Sequence, residues 1–182
     1  MALLRFLAAA AACIIFAGAP VLADEIQDIG QQYRQGDLAG ALDRANSHLA
    51  QNPGNAQARF LKGLILSDQG KRSEALAIFT GLTEDFPEMP EPYNNLAVLH
   101  ASQGRYDAAM EALQAAIRAH PGYATAHENL GDIHAKLASI AYDKALALDS
   151  RNKTAQTKLA LIRTLLEPAK AAPETSQPIP AR

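Results

Sequence analysis

Small and helix-breaking residues recur in this chain at one fixed interval. Four sets keep the interval: Gly36, Gly70 and Gly104; Ala41, Ala75 and Ala109; Pro53, Pro87 and Pro121; and Gly63, Ala97 and Gly131. A period of this size, about 34 residues, is typical of stacked repeats, in which each unit buries its apolar face against its neighbours. The period therefore predicts a repeat protein, whose function lies on a surface rather than in a catalytic motif.

Each repeat predicts two helices joined by a glycine turn. In residues 56–89, apolar side chains at helical spacing fill the first half, and Gly70 stands where a helix needs a left-handed end. A second apolar helix follows and stops at Pro87. Residues 90–123 repeat the same order.

The unit 90–123 resembles a tetratricopeptide repeat. The residues that carry the resemblance are Tyr93, Leu96, Ala97, Gly104, Tyr106, Ala109, Leu113, Ala116 and Pro121. The likeness extends over residues 24–152, and residues 123–132 are similar to exported bacterial proteins of this family. It implies an all-α fold, an α-solenoid of about three to four helix-turn-helix units at residues 24–55, 56–89, 90–123 and 124–152.

The fourth unit departs from the pattern. It lacks five residues between Leu137 and Ala138, among them the turn glycine. Apolar residues continue through this point at steps of three and four, so we predict one long helix over residues 124–149. The alternative is a tight turn near Ala138 and Ser139. A capping helix is predicted at residues 153–167, where it would cover the end of the stack.

The small residues inside the helices predict close helix crossings. Gly63, Ala97 and Gly131 are expected where the first helix of a unit meets the second, with Ala75 and Ala109 facing them. A larger side chain at such a crossing forces the helices apart.

The two ends of the chain lie outside the repeats. Residues 1–23 have a short positive start, an uncharged apolar run and small residues near Ala23, the pattern of a secretory signal peptide. We expect cleavage after Ala23, which would remove Cys13, the one cysteine, and would deliver the protein to the periplasm. An uncleaved membrane anchor is the alternative. Residues 168–182 are rich in proline and alanine and are predicted to be disordered.

No residue pattern predicts a catalytic, metal or cofactor site. His127 and His134 would lie about 10 Å apart along one helix, too far to share an ion. His100 and His134 occupy a repeat position that holds a buried tyrosine in the family, which predicts partly packed histidines or, alternatively, a pH-sensitive stack. The formal net charge is −2, with no basic run to attract nucleic acid or anionic lipid. We expect a non-enzymatic protein without cofactors and, after cleavage, without membrane insertion.

The resemblance also implies a concave groove that holds an extended peptide or a partner's helix. Carried onto this chain, the groove positions are Gln57, Phe60, Leu61, Leu64, Asn94, Asn95, Val98, Glu128, Asn129 and Asp132. The family often uses Asn at the positions of Asn95 and Asn129 to hold a ligand's backbone. The Lys and Arg of the family's carboxylate clamp are not matched. For Phe60 and Leu61, packing against the preceding unit is an equal alternative.

The resulting hypothesis is a protein–protein interaction scaffold of the cell envelope. Two alternatives remain open from the sequence. One is a self-associating structural protein, whose leucine-rich terminal surfaces pair between copies. The other is an accessory subunit of an envelope enzyme complex.

Overall fold

The computed structural model describes residues 19–167, with side chains from residue 25 onward, and this part of the chain contains eight α-helices and no strand. The helices are α1 (Ala19–Arg34), α2 (Leu38–Gln51), α3 (Ala56–Asp68), α4 (Arg72–Asp85), α5 (Pro90–Ser102), α6 (Tyr106–Ala119), α7 (Ala124–Leu148) and α8 (Lys153–Leu166). The predicted tail and most of the predicted signal peptide lie outside the described residues. Helix α1 begins at Ala19, earlier than the predicted start at Asp24.

Three of the helix–helix turns have the same backbone structure. Gly36, Gly70 and Gly104 all have a positive φ, between 73° and 82°, which other residues adopt only with strain. After each glycine, the next backbone N–H donates to a carbonyl five residues earlier, in the pairs Asp37–Gln32, Lys71–Leu66 and Arg105–His100. This is a Schellman helix end, so the fixed interval of the glycines is an interval of identical turns.

Side-chain caps define several helix starts. Asp37 Oδ1 accepts from the N–H of Gly40 at 3.0 Å, and Asn55 Oδ1 accepts from the N–H of Ala58 at 2.9 Å. Asn152 caps α8 in the same way. Each such cap stabilises its helix by about 1 kcal/mol.

The described helices fall into two compact units, one ending at Ala75 and one starting at Leu76. In the first unit, α1 packs against both α2 and α3. A buried cluster joins the three helices, and its members are Ile26, Ile29, Ala41, Ala45, Ala58 and Ile65.

In the second unit, α5 packs against α6, α7 packs against α5 and α6, and α8 packs against α7. The buried cluster consists of Ala97, Ala109, Leu113, Ala116, Ala126 and Ile133. Ala97 and Ala109 are buried in this cluster, as the predicted close crossing of α5 and α6 requires.

Helix α7 is continuous over 25 residues, about 38 Å at the α-helical rise. The predicted long helix is therefore confirmed, and the alternative turn near Ala138 is wrong. Ser139 is buried in the middle of the helix. The C-terminal part of α7 is held to α8 by a bond of 2.9 Å from Arg163 to Asp143, and the Lys158 ammonium lies 5.7 Å from the centre of the Tyr142 ring.

The prediction for Gly131 is wrong. Gly131 is exposed, and a Cβ built on it would have no neighbouring atom within 4 Å. Because α7 does not turn back after Leu137, none of the helices described between residues 19 and 167 crosses closely at this position. Gly63, by contrast, is buried in α3.

None of the described helices is both long enough and apolar enough to span a membrane.

Candidate functional site

The ten predicted groove residues lie on three helices. Gln57, Phe60, Leu61 and Leu64 are on α3 of the first unit, and the other six are on α5 and α7 of the second unit. We call these six the α5–α7 surface, which consists of Asn94, Asn95, Val98, Glu128, Asn129 and Asp132.

On α3, the predicted residues differ in exposure. Gln57 is exposed, whereas Phe60, Leu61 and Leu64 are half-buried. Leu61 packs against the buried cluster of the first unit, which is the packing alternative that the sequence left open. At least this leucine contributes to the core of its unit.

The α5–α7 surface is organised by one hydrogen bond between two asparagines. The Asn129 amide Nδ2 donates to Asn94 Oδ1 at 2.7 Å. Asn94 is 7% exposed, so its side of this bond is largely shielded from solvent. Because the bond joins the two helices, it fixes the register of α7 against α5.

Val98 is the apolar part of this surface. It lies one turn after Asn94 on α5 and is 51% exposed, a large fraction for a valine. Asn95 Nδ2 donates to the backbone oxygen of Glu91 at 2.9 Å, within its own helix. Asn has a second N–H and an acceptor oxygen, so both Asn95 and Asn129 keep capacity for a ligand after these bonds.

The charged side chains of the α5–α7 surface are acidic. Glu128 and Asp132 are exposed and lie one turn apart on the same face of α7. Among the described residues neither of them is in a salt bridge. On α5, Glu91 adds a half-buried carboxylate, and burial together with this charge raises the pKa of Tyr123 above its ordinary value. The negative charge thus extends over both helices.

Three matches to the tetratricopeptide repeat family model cover residues 32–90, 62–124 and 96–150. Together they span well over half of the chain. The chain belongs to the tetratricopeptide repeat (TPR) family. A TPR fold is a scaffold for protein–protein interaction rather than a catalytic fold, and this TPR protein shares that architecture.

Known proteins resemble parts of this TPR chain. The tetratricopeptide repeat domain-containing protein PYG7, chloroplastic, of Arabidopsis thaliana is 32% identical over 79 residues, which are 41% of this chain and 26% of PYG7. The match therefore spans about a quarter of that curated relative.

Two solved structures confirm the predicted repeat fold. TTC0263 of Thermus thermophilus, a thermophilic TPR protein, is 21% identical with a TM-score of 0.60, covering 80% of this chain and 83% of that one. YrrB, described as a TPR protein with an unusual peptide-binding site, is 24% identical with a TM-score of 0.55, covering 59% and 56%.

A second bond between first helices of successive TPR units was not predicted. In the first unit, the Tyr33 hydroxyl on α1 donates to Asp68 Oδ2 on α3 at 2.7 Å. Burial, the hydrogen bond and the charge of Asp68 raise the pKa of Tyr33 to about 12. This pair and the Asn94–Asn129 pair are both 35 residues apart. The sequence signal that could have predicted both bonds is the spacing of the polar residues, since the two members of each pair are separated by one repeat length plus one residue.

The two histidines of the shared TPR position have different environments. His100 is half-buried, and its Nδ1 has no hydrogen-bond partner among the described residues. Burial, followed by the charge of Arg105, lowers the pKa of His100. His134 on α7 is exposed. His127 Nε2 lies 3.0 Å from the Pro121 oxygen. Nowhere between residues 19 and 167 do three or more His, Cys, Asp or Glu cluster as metal ligands would.

Proposed function

We propose that this TPR protein is a non-enzymatic scaffold of the cell envelope that binds a peptide or a partner helix on its α5–α7 surface. The observation that carries the proposal is the exposure of Val98 on α5, one turn after Asn94, whose bond to Asn129 joins α5 to α7. A half-exposed valine on a rigid pair of helices offers a partner an apolar contact that needs no rearrangement. The asparagine amides and the carboxylates of α7 add polar contacts around it.

The comparisons support a peptide as the ligand. YrrB, which shares the repeat fold, is described by its peptide-binding site. In repeat proteins of this kind, the row of first helices supplies the extended binding surface.

A site-specific crosslink tests this proposal. Val98 is replaced by the photo-crosslinking amino acid p-benzoylphenylalanine, and the protein is irradiated in cells. The matched control carries the same amino acid at Gln114, an exposed position of α6. We expect one defined protein adduct from position 98 and none from position 114. The same adducts from both positions, or none from position 98, would refute the α5–α7 surface as the binding site.

Export to the periplasm is a separate part of the proposal. Cleavage after Ala23 would remove the start of α1 but keep Ile26 and Ile29, which belong to the buried cluster of the first unit. N-terminal sequencing of the protein from a periplasmic extract should begin at Asp24. A chain that stays in the cytosolic fraction would exclude the envelope role, whereas a membrane-bound chain that retains Met1 would contradict cleavage after Ala23.

Self-association is a second candidate, and α8 favours it. Leu161 and Leu165 lie one turn apart on this helix and are 67% and 70% exposed. Sedimentation velocity over a wide concentration range tests it, with Leu161→Glu/Leu165→Glu as the variant. A wild-type protein that is monomeric at every concentration would exclude this candidate.

A further inference from the structure

We propose that the partner segment on the α5–α7 surface is basic and aliphatic, with a Lys or Arg two positions after a Leu, Ile or Val. This inference rests on the proposed function and names the chemistry of its ligand. The family's carboxylate clamp takes an acidic chain end, so the ligand inferred here has the opposite charge.

The first argument is the unpaired charge of α7. Glu128 and Asp132 are both exposed, lie on one face, and form no salt bridge among the described residues. The basic residues that follow Asp132 on α7 are His134 and Lys136, and Lys136 lies one further turn along the helix. An acidic partner would meet repulsion from two carboxylates, whereas a Lys or Arg would meet attraction that is strongest where binding excludes water.

The second argument is the repeat equivalence of the acidic and apolar positions. Glu128 and Asp132 each follow Asn94 and Val98 by one repeat length, so the four occupy the same two positions of successive first helices. On α5 the second of these positions holds the exposed Val98, whereas on α7 both positions hold acidic residues. A ligand that crosses from α5 to α7 therefore meets an apolar position first and a negative position second.

The spacing of the two helices fits an extended segment. Packed helices lie about 8–10 Å apart, and alternate side chains of an extended chain are about 7 Å apart on one face. An aliphatic residue on Val98 and a basic residue two positions away would thus reach α7, because a Lys or Arg side chain spans the remaining distance. The predicted ligand pattern is an aliphatic residue and a basic residue at positions i and i+2.

Fluorescence anisotropy with four labelled nonapeptides tests this pattern. All four consist of Gly and Ser except at two central positions, i and i+2. These two positions hold Leu and Lys in the first peptide, Leu and Glu in the second, Leu and Gln in the third, and Ser and Lys in the fourth. We expect the Leu/Lys peptide to bind at least about fivefold more tightly than the other three, with an affinity that falls as salt is raised.

Two matched charge variants test whether Glu128 and Asp132 cause the preference for the Leu/Lys peptide. Glu128→Gln/Asp132→Asn should weaken the Leu/Lys peptide about fivefold and leave the Leu/Gln peptide unchanged. The control, Asp107→Asn/Glu111→Gln, changes the net charge equally at two exposed positions of α6, one turn apart, and should have no effect. Circular dichroism confirms that both variants are folded.

The peptide measurements and the crosslink test different hypotheses, so the basic ligand can fail while the binding surface holds. A preference for Leu/Glu or Leu/Gln, equal weakening by both charge variants, or no binding of Leu/Lys at millimolar concentration overturns the basic ligand. The crosslink from position 98 decides the binding surface on its own, since it does not depend on the charge of the partner.

Discussion

The α5–α6 hairpin and the long helix α7 start from the same repeat pattern and form different structures. In the hairpin, Gly104 has a φ of +73°, and the Arg105 N–H closes the turn on the His100 oxygen at 3.0 Å. In α7 the five residues that would form this turn are missing, and the helix continues through Ser139. Apolar periodicity alone therefore does not decide where a helix reverses, because it is present in both regions. The turn residues decide it.

The largest expected effect comes from restoring the missing turn. Inserting Gly-Arg-Tyr-Asp-Ala between Leu137 and Ala138 gives the fourth unit the turn of the third. We expect α7 to become a hairpin, since the residues after Ala138 match the second helix of a repeat. Spin labels at Glu128 and Ala147 should lie about 29 Å apart in the native helix and within about 15 Å in the insertion variant.

Two outcomes of that distance measurement would contradict the expectation. If the insertion variant kept the long distance of a straight helix, packing against α8 would hold α7 straight regardless of the turn. If the native protein already showed the short distance of a hairpin, α7 would not be one helix in solution.

The second-largest expected effect tests the close crossing of α5 and α6 in the hairpin. Ala109 is fully buried between α5 and α6, so Ala109→Leu should overpack the cluster and lower the free energy of unfolding by about 1–3 kcal/mol. The matched control is Ala147→Leu at an exposed position of α7, which should change little. Urea denaturation measures both. Equal stabilities of Ala109→Leu and wild type would show that α5 and α6 do not cross closely at this residue.

Much of the fold could be predicted from sequence because the decisive residues are local. The turn glycines, the missing turn before Ala138 and the capping helix depend on neighbours within a few residues. The environment of Gly131 could not be predicted from its repeat position, because that position is buried only where a second helix returns. The α5–α7 surface was predicted by position alone. The burial of Asn94 and its bond to Asn129 depend on how two helices one repeat apart pack together.

The third effect concerns the left-handed residue of the hairpin turn. Gly104→Ala forces an L-residue into a positive φ, which costs about 1–2 kcal/mol, partly offset by the lower entropy of the unfolded chain. We expect a net destabilisation of about 1 kcal/mol in urea denaturation. A Cβ at Gly104 meets no atom within 4 Å, so the effect reports backbone strain rather than a clash. An unchanged stability would show that the turn can relax out of the left-handed conformation.

The smallest effect has the opposite sign and comes from the same substitution in α7. Gly131 lies inside a continuous helix, is exposed, and has open space where a Cβ would stand. Gly131→Ala should therefore stabilise the protein by somewhat less than about 1 kcal/mol, the difference in helix propensity between the two residues. When both variants are measured under the same conditions, Gly104→Ala should lower the urea midpoint and Gly131→Ala should raise it. Destabilisation by Gly131→Ala would mean that a second helix does pack on this glycine, and that the long helix is not the structure in solution.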